Sequence, residues 1–280
     1  MAGQSFSVIN NLNSYNAQRN LGVSNMGINS SLSKLSSGFR IVNAGDDAAG
    51  LAIGNALKAD YMALSQGVRN ANDGIGLIQV ADGAFTQMSD MLSRATQLAT
   101  QAASGTLGDA ERDMINTEYQ QILQEIDRVV DTTNYKGEQL FSQDGSVNKS
   151  IYVGDTQLQS TINVSIGGGT GAGTAAMGLS GTSLATAEGA QNALSQIQDA
   201  IGNVSKMRGV LGAQSNRIIN SVGIMQVQSQ NLLAAESSIM DTNMAEELTN
   251  FTRNRILMES GMASVAQANA TNQMVLQLFR

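Results

Sequence analysis

The sequence contains no proline, cysteine, histidine or tryptophan. The missing cysteine and histidine exclude disulfides, thiol nucleophiles, imidazole bases and zinc-finger ligand sets. The missing proline suits long unbroken helices, because proline inside a helix costs about 3 kcal/mol. Aromatic residues make up only 4%, which favours thin helix-on-helix seams of Leu, Ile, Met and Ala over a broad core. The charge balance is acidic, with 16 Lys+Arg against 23 Asp+Glu and a net charge of −7. Nucleic-acid binders need a basic footprint, so nucleic acid is not an expected partner. No apolar run approaches the ~20 residues of a membrane span, so membrane insertion is not expected. The first twenty residues lack the basic and apolar blocks of a Sec-type signal peptide.

What is present is helical periodicity. Residues 1 to about 42 read as one weakly helical segment rich in Ser and Asn, both poor in helix interiors. Leu21, Ile28, Leu32, Leu35 and Phe39 form its apolar stripe, in steps of three, four and seven. A second such stripe, Met244, Leu248, Phe251, Met258, Met262 and Val265, lies at the opposite end of the chain. The two terminal helices are expected to pair, leaving Leu276, Leu278 and Phe279 among the apolar residues for other copies.

Between them, Gly45-Asp46-Asp47 ends one pattern and caps the next. A long helix is expected from about 47 to 103, a rod of ~85 Å at 1.5 Å per residue. Its apolar row runs from Ile53 through Leu64, Ile78, Phe85 and Leu92 to Ala102. Its glycines, including Gly50, Gly54, Gly67 and Gly74, mark candidate close helix approaches. After a turn at 104–109, a helix runs to about Thr132 and packs antiparallel on its predecessor. Residues 134–137 read as a turn. Residues 150–153 and 161–166 alternate and are β-branched, which predicts a hairpin. The glycine run 167–173 is a loop that does not match G-x-G-x-x-G. Helix resumes from about 183 for some 50 residues. Asp46-Asp47, Glu246-Glu247, Glu125 and Asp127 are read as caps and solvated faces, so no catalytic, cofactor or metal site is expected.

The fold class is therefore mainly α: a long antiparallel helical bundle or coiled coil with a small β-hairpin cap and paired terminal helices. Two domains are expected. One comprises 1–43 plus 241–280, and the other 44–240 with the hairpin and loops at about 134–182.

Several stretches resemble bacterial flagellin. They are Lys-Leu-Ser-Ser-Gly-Phe-Arg-Ile at 34–41, Ala-Gly-Asp-Asp-Ala-Ala-Gly-Leu-Ala-Ile at 44–53, and Arg-Asn-Ala-Asn-Asp-Gly-Ile at 69–75. Others follow at 124–129, 211–217, 236–241 and 266–269, and the chain closes with Leu-Gln-Leu-Phe-Arg at 276–280. The resemblance covers all but about residues 142–185. It implies a non-enzymatic subunit that polymerises with copies of itself into the flagellar filament and serves swimming motility. It implies terminal helices that build an inner tube and are disordered before assembly. It also implies secretion by the flagellar type III route, an export chaperone on the C-terminal helix, and filament cap and hook-associated partners. A host innate immune receptor is implied at Arg94, Leu98 and Glu118, with Thr96 and Gln97 departing from that pattern. The interval 141–183 leaves room for the two inner domains alone, and the absent C-terminal proline predicts an unbroken last helix. A hook–filament junction protein is the alternative within the same superfamily. A catalytic insertion is disfavoured by the short middle region.

Overall fold

The computed structural model describes residues 11–142, 145, 147–154, 161–167 and 171–278. Five helices run in the order α1 (Leu12–Ser37), α2 (Ala48–Ala102), α3 (Asp109–Thr132), α4 (Ala187–Met240) and α5 (Met244–Leu278). Two hairpins lie between α3 and α4: β1 (Asn134–Tyr135) with β2 (Glu138–Gln139), and β3 (Val147–Tyr152) with β4 (Thr161–Ile166). The mainly helical class with a small antiparallel hairpin is observed. The chain divides into two compact units, one of residues 1–59 with 231–280 and one of residues 60–230. Both α2 and α4 contribute to each.

In the first unit, the helix ends are set by local chemistry. Asn11 caps α1 by accepting from the Ser14 N–H at 3.0 Å. Gly38 ends it in the left-handed region at φ 78°, donating to the Lys34 carbonyl at 2.8 Å. Asp47 accepts from the Gly50 N–H at 2.9 Å and so caps α2. Asp46 accepts from the Asn43 and Val42 N–H groups, at 2.9 and 3.1 Å. These backbone donors, Asn43 foremost, hold its carboxyl below the usual carboxylate range. Asn243 caps α5, whose first turn carries Glu246 and Glu247 against the positive end of the helix dipole. As expected without proline, α5 runs unbroken for 35 residues. Gly54 lies so close to Met240 that a Cβ there would sit 2.6 Å from its sulfur.

The second unit is a helical bundle with a solid apolar core. Phe85, Met88, Leu92 and Ala95 of α2, Tyr119 and Ile126 of α3, and Ile197, Ala200 and Val204 of α4 are all fully buried. The Phe85 ring stands edge-on to Phe141 at 5.0 Å. α2 and α4 run antiparallel, as the Asp82–Arg208 ion pair at 2.7 Å and the Gly67–Met225 approach show. Arg112 is buried at the α2–α3 turn. Its guanidinium donates to the Ala102 and Ser104 carbonyls, both at 3.0 Å, and to Asp109 at 3.1 Å. Gly108 is the N-cap of α3, and Glu111 reaches back to its N–H.

The stretch expected as a bare turn at 134–137 is itself a tight hairpin. Lys136 and Gly137 both take positive φ, 54° and 86°, the geometry of a two-residue hairpin turn. β3 and β4 pair antiparallel from Val147↔Ile166 to Tyr152↔Thr161. The alternating Ile162, Val164 and Ile166 are buried. Gly67 and Gly74 of α2 admit this hairpin: a Cβ on Gly67 would meet the Val153 backbone at 3.0 Å, and Gly74 abuts Ile151. Of the glycine run, residues 168–170 lie outside the described residues. Beyond them Thr174 is held by Asp127, which accepts from its N–H and its hydroxyl, both at 2.8 Å.

Candidate functional site

The feature with the least explanation inside the chain is the pair of terminal helices. α1 and α5 run antiparallel. Gly27 faces Asn254, Leu21 faces Gly261, and Asn11 donates to the Ala268 carbonyl at 3.0 Å. Beside the half-covered Gly22, Gly27 and Lys34, the covered positions of α1 form a row of Ser14, Ala17, Leu21, Ser24, Ile28, Ser31 and Leu35. Their steps alternate strictly between three and four, the 3.5-residue repeat of a coiled coil. α5 answers with Phe251, Asn254, Met258, Gly261, Val265 and Ala268, in the same alternation. Each helix thus sets a large row beside a small row. Leu21, Ile28 and Leu35 flank Ala17, Ser24 and Ser31. Phe251, Met258 and Val265 flank Asn254, Gly261 and Ala268.

This seam is not the stripe expected from apolar spacing. Leu21, Ile28, Leu35, Phe251, Met258 and Val265 are on it. Leu32, Met244, Leu248 and Met262 are exposed. Leu32 lies beside Ser31, which occupies the seam position. Leu248 and Met262 lie about 60° round α5 from Phe251 and Val265, three residues being 300° of turn. Met244, seven residues before Phe251, is in line with that row but is the first residue of α5 and stays exposed. Phe39 follows the end of α1, where it bridges Asp241, while the Arg40 N–H donates to the Met240 carbonyl at 2.6 Å. Leu276 and Leu278 belong to the last turn of α5, and Phe279 lies outside the described residues.

The outer faces are as apolar as the seam. Leu12, Tyr15, Val23 and Met26 of α1 are all strongly exposed. Helical spacing puts them on one line nearly opposite the side that α5 covers. On α5, Leu248, Ile256 and Leu257 line a shallow apolar depression together with Thr249, Thr252 and Arg253. With Met244, Met262 and Met274 also exposed, apolar side chains point in every direction from α5. Polar residues are interspersed among them, so α5 has no single apolar face and exposes apolar side chains on several sides. The groove where α1 and α5 meet is mixed: Asn13, Asn16, Asn20, Ser24, Ser260 and Ser264 line it together with Ala17, Val23 and Leu257.

The second constellation is in the bundle. Arg94 donates to Glu118 through Nε at 3.0 Å and through a terminal nitrogen at 2.7 Å, and to Gln97 at 3.3 Å. Both partners are half exposed. Leu98 is not beside them on the surface: it is 2% exposed and belongs to the core. Nearby, the segment before α4 is pinned to α3. Tyr119 Oη meets the Thr182 hydroxyl at 2.6 Å, and Asn116 accepts from the Leu184 N–H at 2.8 Å. Burial pushes the Tyr119 phenol above its ordinary range, and the Thr182 hydroxyl offsets this in part. Among the described residues, no helix is long and apolar enough to cross a membrane.

Comparison with known proteins places this arrangement. Residues 8–146 match the bacterial flagellin N-terminal helical region, and residues 194–279 match the bacterial flagellin C-terminal helical region. A flagellin of Halalkalibacterium halodurans is 38% identical over 281 aligned positions, covering 96% of this chain and 98% of that protein. Flagellin FlaB2 of Treponema pallidum is 35% identical over 285 positions, with the same coverage of 96% and 98%. A flagellar hook-associated protein structure from Vibrio parahaemolyticus aligns at a TM-score of 0.57 and 13% identity, covering 70% of this chain and 100% of that one. At that identity the likeness concerns the fold alone.

Proposed function

The chain belongs to the bacterial flagellin family and is a structural subunit of the flagellar filament, and we propose that it polymerises through the outer faces of its paired terminal helices. One observation supports this most directly. α1 and α5 cover each other on one side only, and their remaining sides expose Leu12, Tyr15, Val23, Met26, Leu248, Ile256 and Leu257 to water. Burying each such side chain contributes about 1.5–3 kcal/mol. The cover is further copies of the same chain, and the eight terminal positions Leu32, Phe39, Met244, Leu248, Met262, Leu276, Leu278 and Phe279 join those contacts. Leu21, Ile28, Leu35, Phe251, Met258 and Val265 act one step earlier, by holding the pair together.

Finer partners follow from the same reading. Before export, an apolar α5 calls for a chaperone that shields it in the cytoplasm. At the filament ends, cap and hook-associated proteins offer related helices. The filament lies outside the cell, reached by the flagellar type III route. A host innate receptor would meet Arg94 and Glu118 on the bundle surface, with Leu98 supporting them from beneath. The protein is a building element and not an enzyme.

The test is assembly by the purified protein. Full-length protein should form long filaments alone under electron microscopy, which a hook–filament junction protein should not. Deleting residues 241–280 should leave the 60–230 bundle folded and abolish polymerisation. Filaments built by that truncated chain would overturn the assignment of assembly to the terminal helices.

A further inference from the structure

The chain has 14 methionines, and the fold sorts them sharply. Met88, Met177, Met207, Met225 and Met240 are at most 9% exposed. Six are more than half exposed or at half: Met26, Met62, Met114, Met244, Met262 and Met274, between 50% and 67%. Four of these six stand on the terminal helices. Met26 sits with Leu12, Tyr15 and Val23 on the uncovered side of α1. Met244 and Met262 are 18 residues apart on α5, five turns, and so share one line. Ile256 and Met274 share another by the same spacing.

We infer that Met26, Met244, Met262 and Met274 form an oxidation-sensitive modification site that switches assembly off before the subunit enters the filament. The inference rests on the assembly role proposed above. The reactant is a small hydroperoxide. A thioether lone pair attacks one peroxide oxygen and the O–O bond breaks. With hydrogen peroxide the sulfur first carries the OH as a hydroxysulfonium, whose proton passes to the departing hydroxide to leave a sulfoxide and water; an alkyl hydroperoxide leaves its alcohol instead. Sulfur loses two electrons and the peroxide gains them. A dithiol-dependent methionine sulfoxide reductase reverses the step, forming water and a disulfide on the reductant. The chemistry turns a flexible apolar side chain into a polar one. On an exposed face the monomer tolerates this, since the sulfoxide oxygen is solvated. On a face about to be covered the oxygen must be desolvated without a prepared donor. The buried methionines, which hold the bundle and the α2–α4 contacts, are out of the oxidant's reach. The fold therefore survives a treatment that disables its outer faces.

The experiment treats monomeric full-length protein with dilute hydrogen peroxide and measures the critical concentration for assembly by sedimentation. Peptide mass mapping should find oxygen on Met26, Met244, Met262 and Met274, with Met88, Met207 and Met225 unmodified. Circular dichroism should be unchanged. The critical concentration should rise about tenfold for each sulfoxide that becomes buried, equivalent to about 1.4 kcal/mol. Sulfoxide reductase with dithiol should restore it. Replacing the four by leucine (M26L, M244L, M262L, M274L) nearly conserves volume and should make assembly indifferent to peroxide, whereas M62L with M114L should leave it sensitive. If the fourfold variant does not assemble, the four single variants are compared, and at least one must assemble with reduced sensitivity. Oxidised protein that assembles at the untreated concentration overturns the inference, as does sensitivity that follows Met62 and Met114. Untreated protein that fails to assemble would instead bring down the assembly reading itself, and this inference with it.

Discussion

Two glycines on the α1–α5 seam should respond oppositely to the same substitution. At Gly261, an added Cβ would lie 3.6 Å from Leu21 Cδ1 and 3.7 Å from its Cβ, ordinary van der Waals contact. G261A therefore gains the helix propensity of alanine over glycine, about 1 kcal/mol, with nothing to displace. At Gly27, the added Cβ would lie 2.6 Å from Asn254 Nδ2, 3.0 Å from Cγ and 3.3 Å from Oδ1. The whole amide is in the way. G27A gains the same ~1 kcal/mol of propensity and loses about 1–3 kcal/mol to overpacking. The two variants should differ by about 1–3 kcal/mol, with G261A the more stable.

Native-state hydrogen exchange on the monomer, below its assembly concentration, reads the opening free energy of α1 and α5 amides separately from the bundle. A double-mutant cycle sharpens the comparison. In an N254A background the amide is gone, so G27A should become stabilising by about 1 kcal/mol. Equal protection in G27A and G261A, or no rescue by N254A, would refute the register that puts Gly27 against Asn254 and Leu21 against Gly261.

Three further outcomes follow from the bundle and its loops. F85A removes a fully buried ring that stands against Phe141, and should cost about 3–5 kcal/mol in urea unfolding. R112A leaves the Ala102 and Ser104 carbonyls without their buried donor and should cost about 2–3 kcal/mol; R112K should not restore it, because an ammonium cannot span the fork. The carboxyls of Asp46, Glu125 and Glu138 are held low, by the Asn43 and Val42 N–H groups, by Arg128 and by Lys149 respectively. Their contribution is therefore present above the unfolded carboxylate range near pH ~4 and is lost as pH falls through the lower folded values; a urea midpoint that stays level between neutral pH and strong acid would contradict this.

Much of the bundle is legible in the sequence, and the reason is length. From Ile78 to Ala102 the apolar row of α2 persists for seven turns, and the observed core follows it residue by residue. The β3–β4 hairpin is legible from alternation and the α2 cap from Asp47. Near Ile53 the periodicity misleads: the covered position is Gly54, and a hydropathy pattern gives glycine no weight. The α1–α5 seam is hidden for the same reason. Three of its α1 positions are serine, and α5 offers Asn254, Gly261 and Ala268. The strict three-four alternation was a usable signal, but only for a reader willing to place serine in a seam. Leu98 was also within reach, since it is three residues past Ala95 and four before Ala102. The anchors Asp127–Thr174 and Asn116–Leu184 join residues 47 and 68 apart in sequence, and nothing local announces them.

The serine-rich seam has a physical logic that bears on assembly. Ser24 is buried, yet its hydroxyl donates to the Asn20 carbonyl one turn back at 3.1 Å, so burial leaves no orphan donor. Small rows let the two backbones approach closely while burying little apolar area. A seam of leucines would stabilise the pair more, and would make α1 and α5 a self-sufficient hairpin. Here the larger side chains of both helices, Tyr15, Met26, Leu248, Ile256 and Leu257, are placed outside instead. Under the proposed mode of assembly, each helix then gains more from a neighbouring copy than from its own partner. On that proposal the pair is held just well enough to present its faces, and contact with other copies supplies the remaining stabilisation by mass action.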